Sequence, residues 1–380
     1  MSLFDFVNIM KIKFLRKIFI LSLVVSGFAF IVSGAEAFDS YCFPLEDGEQ
    51  YVCSFVATEP QFVKPESVRD EFVITQEYGR LADYTNVHRG PSRGSEIVRN
   101  VGDGFLFVTT NGRMQDPDTG DWWYVINLGE FVHPDDITIS EQSTFRGVEV
   151  TRQPERPFGW VVVRDFVPSL APGAEPDERF AKMKRYDFFE VYDAVEADDG
   201  WIWYHIGDGR WINQQFVSLD DVDERPEGVG ENDLWTEVDL YEQTIAAYEG
   251  DRLVFATLIS SGLNRWPTYQ GLFNVDPENR FQETKMGGAE GQVDYYFVED
   301  VPHTMYFDLR NEIALHGAYW HDRFGYKHSH GCVNMPPQDS EWIYYWSQDH
   351  GEEDFWVYVW ESNPQQYFER YDPEDPFVGA

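Results

Sequence analysis

The sequence predicts a mainly β protein with one or more short helices, and three observations carry that prediction. Short apolar stretches recur with period-two alternation between turns rich in Gly, Pro and Asp. Two of these stretches, rich in tryptophan, look like copies of one another. Helical spacing shows in PPQDSEWIYYWSQ, residues 336–348, through Trp342, Ile343 and Trp346.

The chain has 380 residues, 43% apolar and 17% aromatic, enough for two or three compact units. Its formal net charge of −38 argues against nucleic acid or anionic lipid as partners, because such a surface repels phosphates. The plain meaning of that charge is a well-solvated exterior.

Residues 1–37 read as a targeting segment. Lys11, Lys13, Arg16 and Lys17 precede the apolar run IFILSLVVSGFAFIV, and Ala35-Glu36-Ala37 has cleavage-site spacing. The segment is a signal peptide or, uncleaved, an N-terminal anchor and the sole expected membrane contact. Met10 offers a second start just before the basic cluster. Both readings export the remainder to the cell envelope, periplasm or wall, or to the medium.

Residues 38–73 are expected to be a linker holding CFPLEDGEQYVC, in which Cys42 and Cys53 are near enough to pair in an oxidising compartment. That leaves Cys332 alone among three cysteines. An exported lone thiol is either buried as a small apolar residue or used as a nucleophile.

The tryptophan-rich copies are DWWYVINLGEFVHPDDI from 121 and GWIWYHIGDGRWINQQFV from 200, an offset of 200 − 121 = 79. Each follows a Gly- or Pro-rich loop and an apolar strand. The pair, residues 74–140 and 158–220, resembles two small bacterial SH3-like barrels. Exposed aromatics there would bind wall glycan or peptide, and a structural spacer is the plain alternative. His88, His133 and His205 fall in these repeats and carry no catalytic signal.

Beyond the acidic linker LDDVDERPEGVGEN, WTEVDLYEQTIAAYEGDRLVFATLISSG opens a hairpin-rich β domain over 232–361, with a tail at 362–380. Strands are expected at GLFNV, TMYFDL, EIALHG and DFWVYVW. Chemistry concentrates in EIALHGAYWHDRFGYKHSHGCVNMPP. A thiol of pKa ~8.5 needs a base at neutral pH, and His316, His321, His328 and His330 all qualify by sequence. His316 ends an apolar strand beside Gly317, whose carbonyl is placed to fix the ring tautomer. Gly331 lets backbone approach a substrate carbonyl, so amides of residues 330–332 are candidates for an oxyanion hole.

These residues resemble the L,D-transpeptidase catalytic domain, whose signature is an HG followed by SHGC and a nearby Asn. Here those are His316-Gly317, Ser329-His330-Gly331-Cys332 and Asn334. The stretch 238–262 looks like the family's opening strands. PTYQGLFNV is similar to its TPxGxF segment, departing at Pro267-Thr268-Tyr269-Gln270. The resemblance implies a β-sandwich catalytic domain, no cofactor, and peptidoglycan stem peptides as partners. Cys332 would be the nucleophile, His316 the base and Gly317 its orienter. His330 and Gly331 would form the oxyanion and positioning loop, its shape held by Ser329 and Asn334. A thioester made by expelling a terminal D-alanine would then pass to a second stem's amine as a 3-3 cross-link.

Other readings stand beside it. His328, His330 and Cys332 alternate as zinc ligands can, but tetrahedral sites usually draw on two separated pairs, so no metal is expected. Tyr319 and Trp320 are candidates for the substrate cleft, with core packing the alternative. Water as acceptor would make the enzyme an L,D-carboxypeptidase. A papain-like wall peptidase has its Cys before its His, the reverse of the order here. A non-catalytic wall-binding protein fits poorly with a complete His316, His330 and Cys332 set.

Overall fold

The period-two pattern folds into two seven-stranded sheets and several smaller ones. The computed structural model describes residues 38–44, 51–57, 61–65, 76–287, 296–349 and 354–362. The expected targeting segment lies outside these residues, as does the tail after 362. Among the described residues no helix is long and apolar enough to cross a membrane.

The chain divides into two units, Met1–Pro60 and Gln61–Ala380. In the first, Phe38–Pro44 pairs antiparallel with Tyr51–Ala57, and the backbone register sets Cys42 opposite Cys53. The side chains of both cysteines, and so the expected bridge, lie outside the described residues.

In the second unit one sheet runs Gly271–Asn274, Phe355–Trp360, Leu234–Asp239, Thr244–Glu249, Arg252–Leu258, Val148–Val150, Phe62–Val63. Leu234–Asp239 is buried at every position, as a strand covered on both faces must be. The closing strand instead alternates, with Phe355, Val357 and Val359 buried and the residues between them half-buried. Phe62–Val63 falls in the stretch expected to be a linker, and Val148–Val150 lies between the two expected repeats. Strands of two and three residues carry too little alternation to be read from sequence.

The other sheet runs Ile137–Ile139, Glu77–Leu81, Phe105–Thr110, Tyr296–Asp308, Ile313–Gly317, Val333–Met335, with Arg280–Gly287 also paired to Tyr296–Asp308. Tyr296–Asp308 is 13 residues long. Its start pairs in parallel with the upstream repeat, Tyr296 opposite Phe105 and Val298 opposite Phe107. Its end pairs antiparallel with Ile313–Gly317, Met305 opposite Leu315. The first repeat is thus continuous in hydrogen bonding with the C-terminal β domain.

The helix Pro337–Trp346 begins on a proline, whose missing N–H is not needed in a first turn, and carries Asp339 at its positive end. It stops at Ser347, whose N–H donates back to the Ile343 carbonyl at 2.9 Å. Ile343 and Trp346 pack with Leu234, Phe255, Leu315, Val333 and Phe355, so one core joins both sheets and the helix. Each large apolar side chain fully buried there contributes roughly 1.5–3 kcal/mol.

Each tryptophan-rich repeat has its own small core, around Val87, Leu106 and Ile126 in the first and Val161, Phe189 and Ile212 in the second. Trp123 and Trp203 are both buried. Both repeats make a 3-10 turn just before the closing strand, Pro134–Asp136 and Gln214–Phe216, at an offset of 214 − 134 = 80. The residue before each turn, His133 or Asn213, accepts a hydrogen bond from the amide two residues on.

Candidate active site

Ile313–Gly317 and Val333–Met335 lie side by side in parallel, with Leu315 opposite Val333 and His316 opposite Asn334. Cys332 immediately precedes the second strand, so this pairing brings the histidine end of one strand to the cysteine end of the other. Gly317 permits it. A Cβ there would meet Ser340 Oγ at 2.6 Å and Pro302 Cγ at 2.8 Å.

His316 is 2% exposed, and its Nδ1 lies 3.0 Å from the Gly317 carbonyl oxygen. A carbonyl only accepts, so Nδ1 carries the proton and Nε2 is the basic nitrogen. Burial pulls the imidazole down to about 4, with the Gly317 hydrogen bond opposing. Cys332 is half-buried, and its thiol donates towards the Glu312 carbonyl at 3.8 Å. Burial pushes the thiol up to about 11; a hydrogen bond with the Ala314 backbone opposes this and the Glu312 charge adds to it. At neutral pH the pair is therefore thiol and imidazole, not thiolate and imidazolium. A proton must move as the sulfur attacks.

Both side chains line a cavity of about 570 Å3, together with Trp266, Tyr296, Trp320, His328 and His330. Arg80, Asp83, Asp103 and Phe105 from the first repeat line it too. The loop carrying Cys332 is tied at each turn. Ser329 Oγ donates to the Cys332 carbonyl and accepts from the Gly331 amide at 3.1 Å. Gly331 sits at φ 119°, where an L side chain is strained. Its amide, expected among the oxyanion donors, is committed to Ser329. That makes Gly331 a shaping residue and leaves the amides of His330 and Cys332 as oxyanion candidates.

Asn334 is 2% exposed, with its amide 3.0 Å from Nε2 of His321. His321 Nδ1 accepts from the Arg323 amide at 3.2 Å. Burial first, then the neighbouring His328, hold His321 well below the ordinary histidine range. His330 is exposed, its ring 3.9 Å from Trp266 and 5.0 Å from Tyr296 between centroids. Among the described residues no group of three His, Cys, Asp or Glu side chains is placed to hold a metal ion.

Of the two cleft candidates, Trp320 lines the cavity and Tyr319 does not. Tyr319 is fully buried, stacked on Tyr78 with its hydroxyl donating to the Glu299 carbonyl at 2.6 Å. Thr268, which the sequence shows only as part of a motif departure, has a specific place here. Its hydroxyl donates to the Gly331 carbonyl at 2.7 Å and accepts from the Gly262 amide at 2.9 Å, pinning the cysteine loop from behind.

Residues 233–359 match the YkuD family model, the L,D-transpeptidase catalytic domain. YciB of Bacillus subtilis (strain 168), whose name assigns it provisionally to the L,D-transpeptidases, is 30% identical over 122 residues, 29% of this chain. The chain spans 59% of that relative's length. The solved catalytic domain of the E. faecium L,D-transpeptidase is 26% identical; the match covers 34% of this chain and 98% of that one, with a TM-score of 0.29. The crystal structure of an Enterococcus faecium L,D-transpeptidase mutant is 24% identical over 37% of this chain and 55% of that one, with a TM-score of 0.30.

Proposed function

We propose that residues 232–361 form a cysteine-dependent L,D-transpeptidase that joins peptidoglycan stems by 3-3 cross-links. The observation that carries this reading is the buried His316, its tautomer fixed by the Gly317 carbonyl, lining the same cavity as Cys332. In the first half-reaction Cys332 Sγ attacks the carbonyl between the third stem residue and the terminal D-alanine as its proton passes to His316 Nε2. The peptide C–N bond breaks, His316 returns the proton to the departing amine, and D-alanine leaves. In the second, the side-chain amine of another stem attacks the thioester and gives its proton through His316 to the departing sulfur. The thioester conserves the energy of the broken peptide bond, so no ATP is needed.

Around this centre His330 positions the substrate and, with the Cys332 amide, completes the oxyanion site. Ser329, Gly331 and Asn334 hold the loop. The two upstream repeats, read as SH3-like modules, bind wall peptide or glycan or act as spacers. Residues 1–37 export the chain to the envelope, and Cys42 bridges Cys53.

The test is incubation of the purified protein with disaccharide tetrapeptides and mass analysis of the products. Cross-linked dimers with loss of one D-alanine are expected. Loss of D-alanine without dimers would make the protein an L,D-carboxypeptidase, and cleavage at another bond a wall peptidase. Unchanged substrate would leave a non-catalytic wall-binding protein.

A further inference from the structure

The cavity holding Cys332 is not walled by residues 233–359 alone. Arg80, Asp83, Asp103 and Phe105 come from the first repeat. Their attachment is part of the sheet: Phe105 lies opposite Tyr296 in parallel register, and the Tyr296 ring faces His330 at 5.0 Å. Arg80 projects from the neighbouring strand Glu77–Leu81, opposite Phe107. Asp83 and Asp103 sit on adjoining turns, where Asp83 Oδ1 accepts from the Gly104 amide at 3.4 Å.

The charges on this wall are exposed and of both signs. The Arg80 guanidinium lies 5.4 Å over the Phe105 ring and, among the described residues, makes no ion pair. In a chain with 67 acidic and 29 basic residues, a guanidinium at the cavity with no ion pair among the described residues is a specific feature.

We propose that Arg80, Asp83 and Asp103 form a recognition wall for the zwitterionic head group of an α-amino acid, and so determine which substrate is transferred. The guanidinium fork suits the carboxylate, the two aspartates suit the ammonium, and Phe105 offers an apolar surface to the methylene chain. A chain ending in an amine alone leaves Arg80 unmatched. Two sources present this head group: the side-chain terminus of a diamino-diacid third residue in a stem, and a free amino acid acting as acceptor. The inference rests on the proposed function for the nature of the stem.

The experiment measures dissociation constants on Cys332→Ala protein, with and without Arg80→Ala, for disaccharide tetrapeptides whose third residue is a diamino diacid or lysine. Values of kcat/KM are measured beside them on protein that retains Cys332. The unaltered wall should prefer the diamino-diacid stem. Arg80→Ala should weaken that stem roughly 10- to 100-fold and leave the lysine stem within about twofold, as expected for one charge-assisted pair. Arg80→Lys should recover part of the loss. The double variant Asp83→Asn, Asp103→Asn should weaken both stems, because both carry an ammonium.

Equal affinity for the two stems, or an equal loss on both with Arg80→Ala, overturns the proposal unless glycine or alanine, tested as a free acceptor, binds with the Arg80 dependence. That last result assigns the wall to a free amino acid. A binding preference without turnover of any stem would remove the transpeptidase reading and leave the wall standing. Turnover without the preference would do the reverse.

Discussion

Tyr78 and Tyr319 stack face to face, ring centroids 3.5 Å apart and planes 10° from parallel, one from the first repeat and the other three residues after His316. With Phe107 edge-on to Tyr319 at 6.1 Å, the contact packs the repeat against the segment that follows the His316 strand. Tyr78→Ala should therefore cost roughly 3–5 kcal/mol, the range for emptying a buried aromatic site. It should also slow acylation of Cys332. Denaturant unfolding checks the first and mass-detected acylation the second; a stable variant with parental acylation would show the two parts to be independent.

Gly331 and Gly317 separate two ways in which a glycine is required. At Gly331 the nearest contact of an added Cβ is 3.5 Å, so Gly331→Ala meets only the strain of φ 119°. About 1–3 kcal/mol is expected, concentrated in the cysteine loop, with acylation falling more than stability. Gly317→Ala drives a Cβ to 2.6 Å from Ser340 Oγ and should lower the melting temperature of the whole domain. Equal behaviour of the two in calorimetry and acylation would contradict this division.

Thr268→Val keeps shape and removes the hydroxyl, leaving the Gly262 amide and the Gly331 carbonyl without it. Each buried group left unpaired costs about 1–3 kcal/mol. Acylation should drop with little change in KM, and Thr268→Ser should restore it. Loss of function in the serine variant would point instead to the methyl group.

The sequence made His316, Cys332 and their loop legible because the chemistry there is written in adjacent residues. Helical spacing in Trp342, Ile343 and Trp346 likewise announced the helix. What stayed hidden is contact between distant segments. Nothing local in Phe105 specifies parallel pairing with Tyr296, 191 residues away, and so the upstream wall of the cavity went unread. Thr268 was seen as part of a motif departure because its bonds to Gly262 and Gly331 leave no periodic trace. Tyr319 and Trp320 are inseparable by residue type; the stack on Tyr78 assigns Tyr319 to the core, and Trp320 lines the cavity.

The register of Phe38–Pro44 against Tyr51–Ala57 sets Cys42 opposite Cys53, the relation a bridge across an antiparallel pair requires. Thiol labelling under denaturing, non-reducing conditions of protein expressed with residues 1–37 and kept from reductant should count one free thiol. A count of three would exclude the bridge.

The resting pair sets the pH dependence of acylation. His316 is held to about 4 and Cys332 to about 11, so between those values the protonation state does not change and the rate of carbapenem acylation should be flat. Below about 4 the imidazolium cannot accept a proton, and the rate should fall. An exposed histidine would place that limb near ~6.5 instead. The same shift makes the fold acid-sensitive. Unfolded His316 takes a proton below ~6.5 and folded His316 only below about 4, so its stabilising effect is present above ~6.5 and lost as pH falls through that window. The loss amounts to about 3 kcal/mol, so rates at low pH are read with circular dichroism as a check on folding. His316→Ala should lower acylation roughly 10²- to 10⁴-fold and erase the acid limb, leaving a rate that rises with the thiolate fraction towards high pH. His330→Ala should weaken substrate positioning and keep the limb, since its ring stacks between Trp266 and Tyr296. If the limb instead disappears with His330 and survives in His316→Ala, the two histidines have exchanged roles.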